Sequence, residues 1–316
     1  MMNYVLDPQL AEQLAILQPG LAVLPMVIPG DAISLRKRLA GFYDIINQGL
    51  EIPGGLTFAD LEIPYEGSRL SARRYSTGRS LSKGIVLYVH GGAGVGGTVG
   101  LYEKIVSNYA SQSGIDFISL EYGLAPETNG LIQMKQAIAA LIWLQENSPA
   151  LDIDPNKIVL MGDSGGGGIV ASAAIYARDN QISLAGLVLI YPMIDHKTAT
   201  SSRELTPFLS VSVDDVTTGW AARLGNEVEI DLLPYISPSA VADMAGLPPT
   251  YIDVGQLDLF CNENIEWVRR SVLAGVQTEF HLYHGVNHGF DLLAPASDIT
   301  QTARTLRFNA IRRMLA

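Results

Sequence analysis

KIVLMGDSGGGGIVASAAIYARD, residues 157–179, decides the fold. An apolar run, KIVLMG, leads into a serine framed by glycines, and a small-residue stretch of helical character follows. Gly162-Asp163-Ser164-Gly165-Gly166 is therefore a G-x-S-x-G turn between a strand and a helix, the context in which that spacing carries meaning. Such a turn holds the serine Oγ proud of the sheet in a strained backbone. Glycines two residues to either side let strand and helix approach without Cβ clashes. Ser164 also falls at a helix N-terminus, where the dipole favours developing negative charge. The plainer alternative is a glycine-rich turn that only connects two elements.

Outward from this segment, short apolar runs alternate with helical stretches. The runs are 85–90, 116–121, 157–162, 186–191, 250–255 and 279–284. Several are apolar almost throughout, as strands covered on both faces should be. Helices are expected at 101–114, 131–147, 169–179 and 263–275. Strand, helix, strand in series argues for a mostly parallel α/β sheet. Residues 58–67 and 69–77 alternate polar and apolar, which predicts an antiparallel hairpin at the start of that sheet. Two regions break the rhythm. Residues 1–50 are helical in pattern with proline interruptions, and 195–247 carry one helix candidate, DDVTTGWAARLG, among loops. Insertions of this size form lids over a site or ordered loops.

A serine hydroxyl is a weak nucleophile and needs a base. In this architecture the partners follow in the order Ser, acid, His. TYIDVGQLDLFCNE (250–263) ends a strand and offers Asp258, and EFHLYHGVNHGFD (279–291) offers His288 in the loop beyond the last strand. Within those segments His281 and His284 suit structural roles in or at the end of the strand. Asp253 suits a structural role on the strand, and Glu263 suits a helix start. His196 falls in the inserted region as an exposed or pocket-edge residue. The five histidines show no H-x-x-x-H or H-E-x-x-H spacing on a helix, because Gly285 and Gly289 disfavour one around His284 and His288. No metal site is expected.

The loop HGGAGVGG (90–97) admits two readings. Gly92, Gly94 and Gly97 match G-x-G-x-x-G, which cradles a dinucleotide pyrophosphate, with Asp116 or Glu121 near the acidic position. His90, Gly91 and Gly92 begin an HGG turn, which supplies backbone N–H groups to an oxyanion. The first reading leaves Ser164, Asp258 and His288 without a role and places the motif after a hairpin. A cofactor is therefore not expected.

The composition is compatible with this. Apolar residues make up 48% and charged residues 17% of the 316, enough for a large core. Net charge is −11 with no Lys/Arg run, which argues against a nucleic-acid or anionic-membrane surface. The single cysteine, Cys261, excludes an intrachain disulfide and fits a reducing, cytoplasmic setting. The N-terminus MMNYVLDPQLAEQL lacks a signal-peptide pattern, and LAVLPMVIPG (21–30) is short and carries two prolines, so no membrane span is expected.

Together these residues resemble the hormone-sensitive-lipase family of α/β-hydrolases. His90-Gly91-Gly92-Ala93 is similar to its HGGG motif, Glu121–Glu127 (EYGLAPE) to DYRLAPE, Gly162–Gly166 (GDSGG) to GDSAGG, Asp258–Glu263 (DLFCNE) to DPLRDE, and His288-Gly289-Phe290 to HGF. The resemblance implies an α/β-hydrolase fold, with a catalytic domain over 51–316 and a helical cap from 1–50 and an insertion at about 195–235. It implies a serine carboxylic-ester hydrolase acting on small-molecule esters of short to medium chain. Ser164, His288 and Asp258 would form the triad, and the N–H groups of Gly91, Gly92 and Gly165 the oxyanion hole. Leu24, Met26, Val27, Phe208, Leu209 and Trp220 would line the pocket. Relatives often pair through the last strand, and the run at 277–284 permits a homodimer. Ala93, Gly165, Gly123 and Asn262 depart from the family pattern, and HPFP is replaced by TNGL. Lactone, amide or carbamate hydrolysis by the same triad, and a binding or receptor protein on the same scaffold, are the alternatives; the retained His288 favours an enzyme over a receptor.

Overall fold

The computed structural model describes residues 4–198, 204–226 and 228–316; residues 199–203 and 227 of the expected insertion lie outside the described residues. Among the described residues, eight strands form one sheet: β1 (Thr57–Tyr65), β2 (Ser68–Ser76), β3 (Ile85–Val89), β4 (Asp116–Leu120), β5 (Ile158–Asp163), β6 (Gly186–Ile190), β7 (Thr250–Gly255) and β8 (Thr278–Tyr283). Their order across the sheet is β1-β2-β4-β3-β5-β6-β7-β8. β1 and β2 pair antiparallel, as do β2 and β4, and every later pairing is parallel. The expected hairpin is present, closed by Glu66 and Gly67, both at positive φ as a two-residue hairpin turn demands.

The ten α-helical segments among the described residues are α1 (Pro8–Ala22), α2 (Ala32–Gln48), α3 (Val99–Ser113), α4 (Gly130–Glu146), α5 (Ser148–Leu151), α6 (Ser164–Asp179), α7 (Val213–Leu224), α8 (Cys261–Leu273), α9 (Phe290–Leu293) and α10 (Asp298–Met314). Strand side chains alternate between two cores. Ile85, Leu87 and Val89 face one layer with α4 and α6, while Val86 and Tyr88 face the other with α3 and α10. This two-sided burial explains the apolar runs that identified the strands. The helix expected from residue 169 begins earlier, at Ser164 itself, because the glycine run after the serine is already helical. α10 was not singled out in the sequence; it is a polar helix whose buried positions, such as Ala303, Phe308 and Ile311, are few. No helix among the described residues is long and apolar enough to cross a membrane.

Candidate active site

Ser164 stands where β5 ends and α6 begins, with φ +51°, a left-handed conformation that an L-serine adopts only when its surroundings impose it. The imposition is steric. A Cβ on Gly166 would lie 2.1 Å from the carbonyl oxygen of Val89, so only glycine lets the first turn of α6 ride this close to β3. The hydroxyl is thereby lifted above the sheet.

His288 reaches the serine from the loop after β8. Its Nε2 is 2.8 Å from Ser164 Oγ, and its Nδ1 is 2.8 Å from Asp258 Oδ2. Asp258 lies after β7, is buried, and also accepts the N–H of Phe260 at 2.9 Å on Oδ1. A carboxylate facing Nδ1 fixes the proton there, which leaves the Nε2 lone pair directed at the serine hydroxyl. The imidazole is held edge-on by Tyr191 and Phe260, with ring centroids 4.7 and 5.0 Å away. The Ser210 hydroxyl donates to its carbonyl at 2.6 Å.

The other candidates are placed elsewhere. Asp253 receives Arg307 Nε at 2.6 Å and Nη2 at 2.9 Å, wholly inside the core. Glu263 accepts the N–H of Ile194 at 2.7 Å and of Asp195 at 3.3 Å, so it pins the chain as it leaves β6; burial pushes its carboxyl well above the usual range, against those bonds. His196 meets Ser237 Oγ at 2.9 Å, and His281 meets Glu279 at 2.8 Å. None of these four reaches Ser164.

The loop after β3 corrects one expectation. Gly91 is not an oxyanion donor, since its N–H is already engaged by Asp163 Oδ1 at 2.9 Å and by the Tyr102 hydroxyl at 3.0 Å. Gly92 and Ala93, not Gly91, line the cavity beside Ser164. Gly92 has φ +114°, and Ala93 follows at +55°. A Cβ on Gly165 would stand 2.7 Å from Ala93 N, so the backbone after the serine abuts the loop at this point. The Ala93 methyl turns the other way, onto α7: a Cβ on Gly219 would come within 2.9 Å of it. His90 is stacked on Tyr122 with centroids 4.4 Å apart, and its Nδ1 faces the Gly91 carbonyl at 2.9 Å. Burial pushes its imidazole down to about 4. Glu121 lies 4.0 Å from its Nε2, too far and too poorly solvated to hold it charged.

The dinucleotide reading of this loop fails on its acids. Glu121 accepts the N–H of Val99 at 2.8 Å at the start of α3, and Asp116 is paired with Arg74 at 2.8 Å. Neither is free for a ribose.

A cavity of about 330 Å³ opens over Ser164. Its walls are mostly apolar, from α1, α2, α7 and the segment 207–211. Of the expected lining residues, Leu24, Phe208 and Leu209 are there. Met26, Val27 and Trp220 are not. Met26 is 86% exposed. Val27 packs against the small cluster of Ala32, Leu35, Val95 and Ala125. Trp220 is buried beneath the surface of the site, with Met193, Val216 and Phe260. Apolarity in loops and helices, the signal that marks all six, does not tell a wall from the packing behind it.

Sequence reading also missed the tyrosines. Tyr88 and Tyr102 donate to Asp163 at 2.7 and 2.8 Å, and Tyr191 donates to Asp291 at 2.6 Å. Each was masked by an apolar pattern in which a tyrosine counts as one more core residue.

A family model described as alpha/beta hydrolase fold matches residues 86–292. An arylesterase of Saccharolobus solfataricus is 27% identical over 235 residues, 73% of this chain and 76% of that protein. Among solved structures, a bacterial heroin esterase superposes with TM-score 0.87 at 28% identity, covering 99% of this chain and 98% of that one. An esterase from the bacterial hormone-sensitive lipase family superposes with TM-score 0.84 at 24% identity, over the full length of both chains.

Proposed function

The chain belongs to the alpha/beta hydrolase fold family, and from that premise we propose that it is a serine carboxylesterase of the hormone-sensitive-lipase type working through Ser164, His288 and Asp258. The observation that carries this reading is the hydrogen-bonded line from Asp258 through His288 to Ser164, with both contacts at 2.8 Å, on the floor of an apolar cavity. Arylesterase and heroin esterase relatives support the ester as substrate class.

In this mechanism the Ser164 oxygen attacks the ester carbonyl as His288 Nε2 takes its proton. Asp258 holds the imidazole in the required tautomer and stabilises the imidazolium. The N–H groups of Gly92, Ala93 and Gly165 receive the oxyanion; Ala93 takes the place first expected of Gly91. The tetrahedral intermediate collapses as His288 gives the proton to the departing alcohol, leaving an acyl-serine. Water, deprotonated by His288, then releases the acid. A cavity of 330 Å³ is near the small end of the ~300–1,000 Å³ usual for ligand pockets, which supports short to medium esters. Residues 1–50 and about 195–235 act as the cap over the catalytic domain of 51–316. Cys261 is a free thiol, which suits a reducing cytosol. β8 is one of the two outer strands of the sheet, and the edge along which two copies would pair.

Ser164→Ala tests the assignment. It should abolish hydrolysis of a nitrophenyl ester and labelling by a fluorophosphonate probe while the far-UV circular dichroism persists. Turnover by the variant at the wild-type rate would sink the reading.

A further inference from the structure

The loop that offers the oxyanion donors contains five glycines between residues 91 and 97, so its own backbone preferences do not fix it. Its placement is imposed from outside, and two of the holds come from α2, an element far from it in sequence. At the start of the loop, Gly91 N–H is caught between Asp163 and Tyr102. The Tyr102 hydroxyl gives its one proton to Asp163 at 2.8 Å and accepts from Gly91 at 3.0 Å. The Tyr43 hydroxyl on α2, 2.6 Å away, must then be the donor to Tyr102. Tyr43 thus completes a buried line running Tyr43, Tyr102, Asp163, Gly91. At the far end of the loop, Arg36 of α2 donates from Nε to the carbonyl of Val95 at 2.7 Å and from Nη2 to that of Ala125 at 2.8 Å. The same guanidinium pairs with Glu127 at 2.6 Å. Between these holds, Gly92 is turned back on itself, its carbonyl accepting Val95 and Gly96 N–H at 2.9 Å each.

We propose that Tyr43 and Arg36 are positioning residues for the oxyanion loop, so that α2 is part of the catalytic apparatus and not only a wall of the cavity. The inference rests on the serine-esterase reading above. Its physical basis is tolerance: donors to a developing oxyanion act only when held within a fraction of an ångström of their place, and a small displacement costs rate out of proportion to its size. Because Tyr43 also lines the cavity, a substrate lying against its ring touches the same hydrogen-bonded line that sets the loop.

The test compares the full-length wild type with Tyr43→Phe, Arg36→Met and Glu127→Gln. For each, kcat and KM on a nitrophenyl ester are measured after active-site titration with a fluorophosphonate. Inhibition by a trifluoromethyl ketone, which mimics the tetrahedral adduct, is measured beside inhibition by the product acid, which does not. Arg36→Met should lower kcat about 10- to 100-fold with KM nearly unchanged, short of the ~10²–10³ of a lost donor. Ketone affinity should weaken in step, product-acid affinity should not, and Tyr43→Phe should show the same pattern at smaller size. Glu127→Gln, which leaves both carbonyl contacts of Arg36 in place, should keep kcat within about twofold, as expected for an exposed ion pair. Equal weakening of ketone and acid, or wild-type kcat in both Arg36→Met and Tyr43→Phe, overturns the positioning role alone. A wild type that neither reacts with the probe nor hydrolyses ester overturns the esterase reading, and the proposal with it.

Discussion

His90 is neutral at neutral pH, and that neutrality is a folding constraint. Its imidazole, buried between Tyr122 and Tyr102, is pushed down to about 4 from the ordinary 6.5 of a free imidazole. Above pH 6.5 both folded and unfolded chains hold it uncharged, and the full contribution to stability is present. As pH falls from 6.5 towards 4 the unfolded chain takes a proton that the folded chain refuses. Stability should fall over this window by roughly 3 kcal/mol from this residue. His90→Asn keeps a donor near the Gly91 carbonyl and should flatten the slope of melting temperature against pH between 4 and 6.5. An unchanged slope would assign the titration elsewhere. Single residues were legible in the sequence where chemistry and order coincide: Ser164 by its turn, Asp258 and His288 by following it after successive strands. Gly91 was misread because a motif names residues, and the direction of an N–H is set by what lies opposite, here Asp163.

At the scale of elements, α10 is tied to the site by one buried arginine. Arg307 bridges Asp253 on β7 and Asp291 on α9, and it also donates to the Tyr109 hydroxyl at 2.8 Å. Burial raises the carboxyl of Asp291, but Arg307, Arg304 and Tyr191 outweigh it and hold it below its usual value. Arg307→Met leaves two carboxylates inside the core without their cation and should destabilise the protein by about 3–5 kcal/mol. Adding Asp253→Asn and Asp291→Asn to that variant should recover part of the loss in urea denaturation. If it recovers none, the cost lies in packing and not in charge. The strands and the four expected helices were legible because their periods survive in a buried α/β layer. α10 was not, since its apolar positions are sparse, and nothing local marks Arg307 as buried when its partners lie 54 and 16 residues away.

In the whole molecule, the parallel pairing of β3, β5, β6, β7 and β8 brings the loop after β3, Ser164 after β5, Asp258 after β7 and His288 after β8 to the C-terminal end of the sheet. This convergence was legible from the alternation of strands and helices. The shape of the cavity was not, because its walls come from segments outside that alternation. The net charge of −11 also acts at this scale. For an ester carrying a remote carboxylate, kcat/KM should rise as salt shortens the Debye length from ~30 Å at 0.01 M to ~8 Å at 0.15 M. A neutral isostere should show no such rise, and equal responses would rule out long-range repulsion. One close approach joins distant parts of the chain: the Ala93 methyl lies 2.9 Å from where a Cβ on Gly219 of α7 would stand. The two positions share a single methyl group of space, so they cannot enlarge independently. Gly219→Ala alone should lower both stability and turnover, whereas after Ala93→Gly the same change should be tolerated. Mutations at these sites are therefore ordered, and a lineage that enlarges the helix must first give up the side chain in the loop.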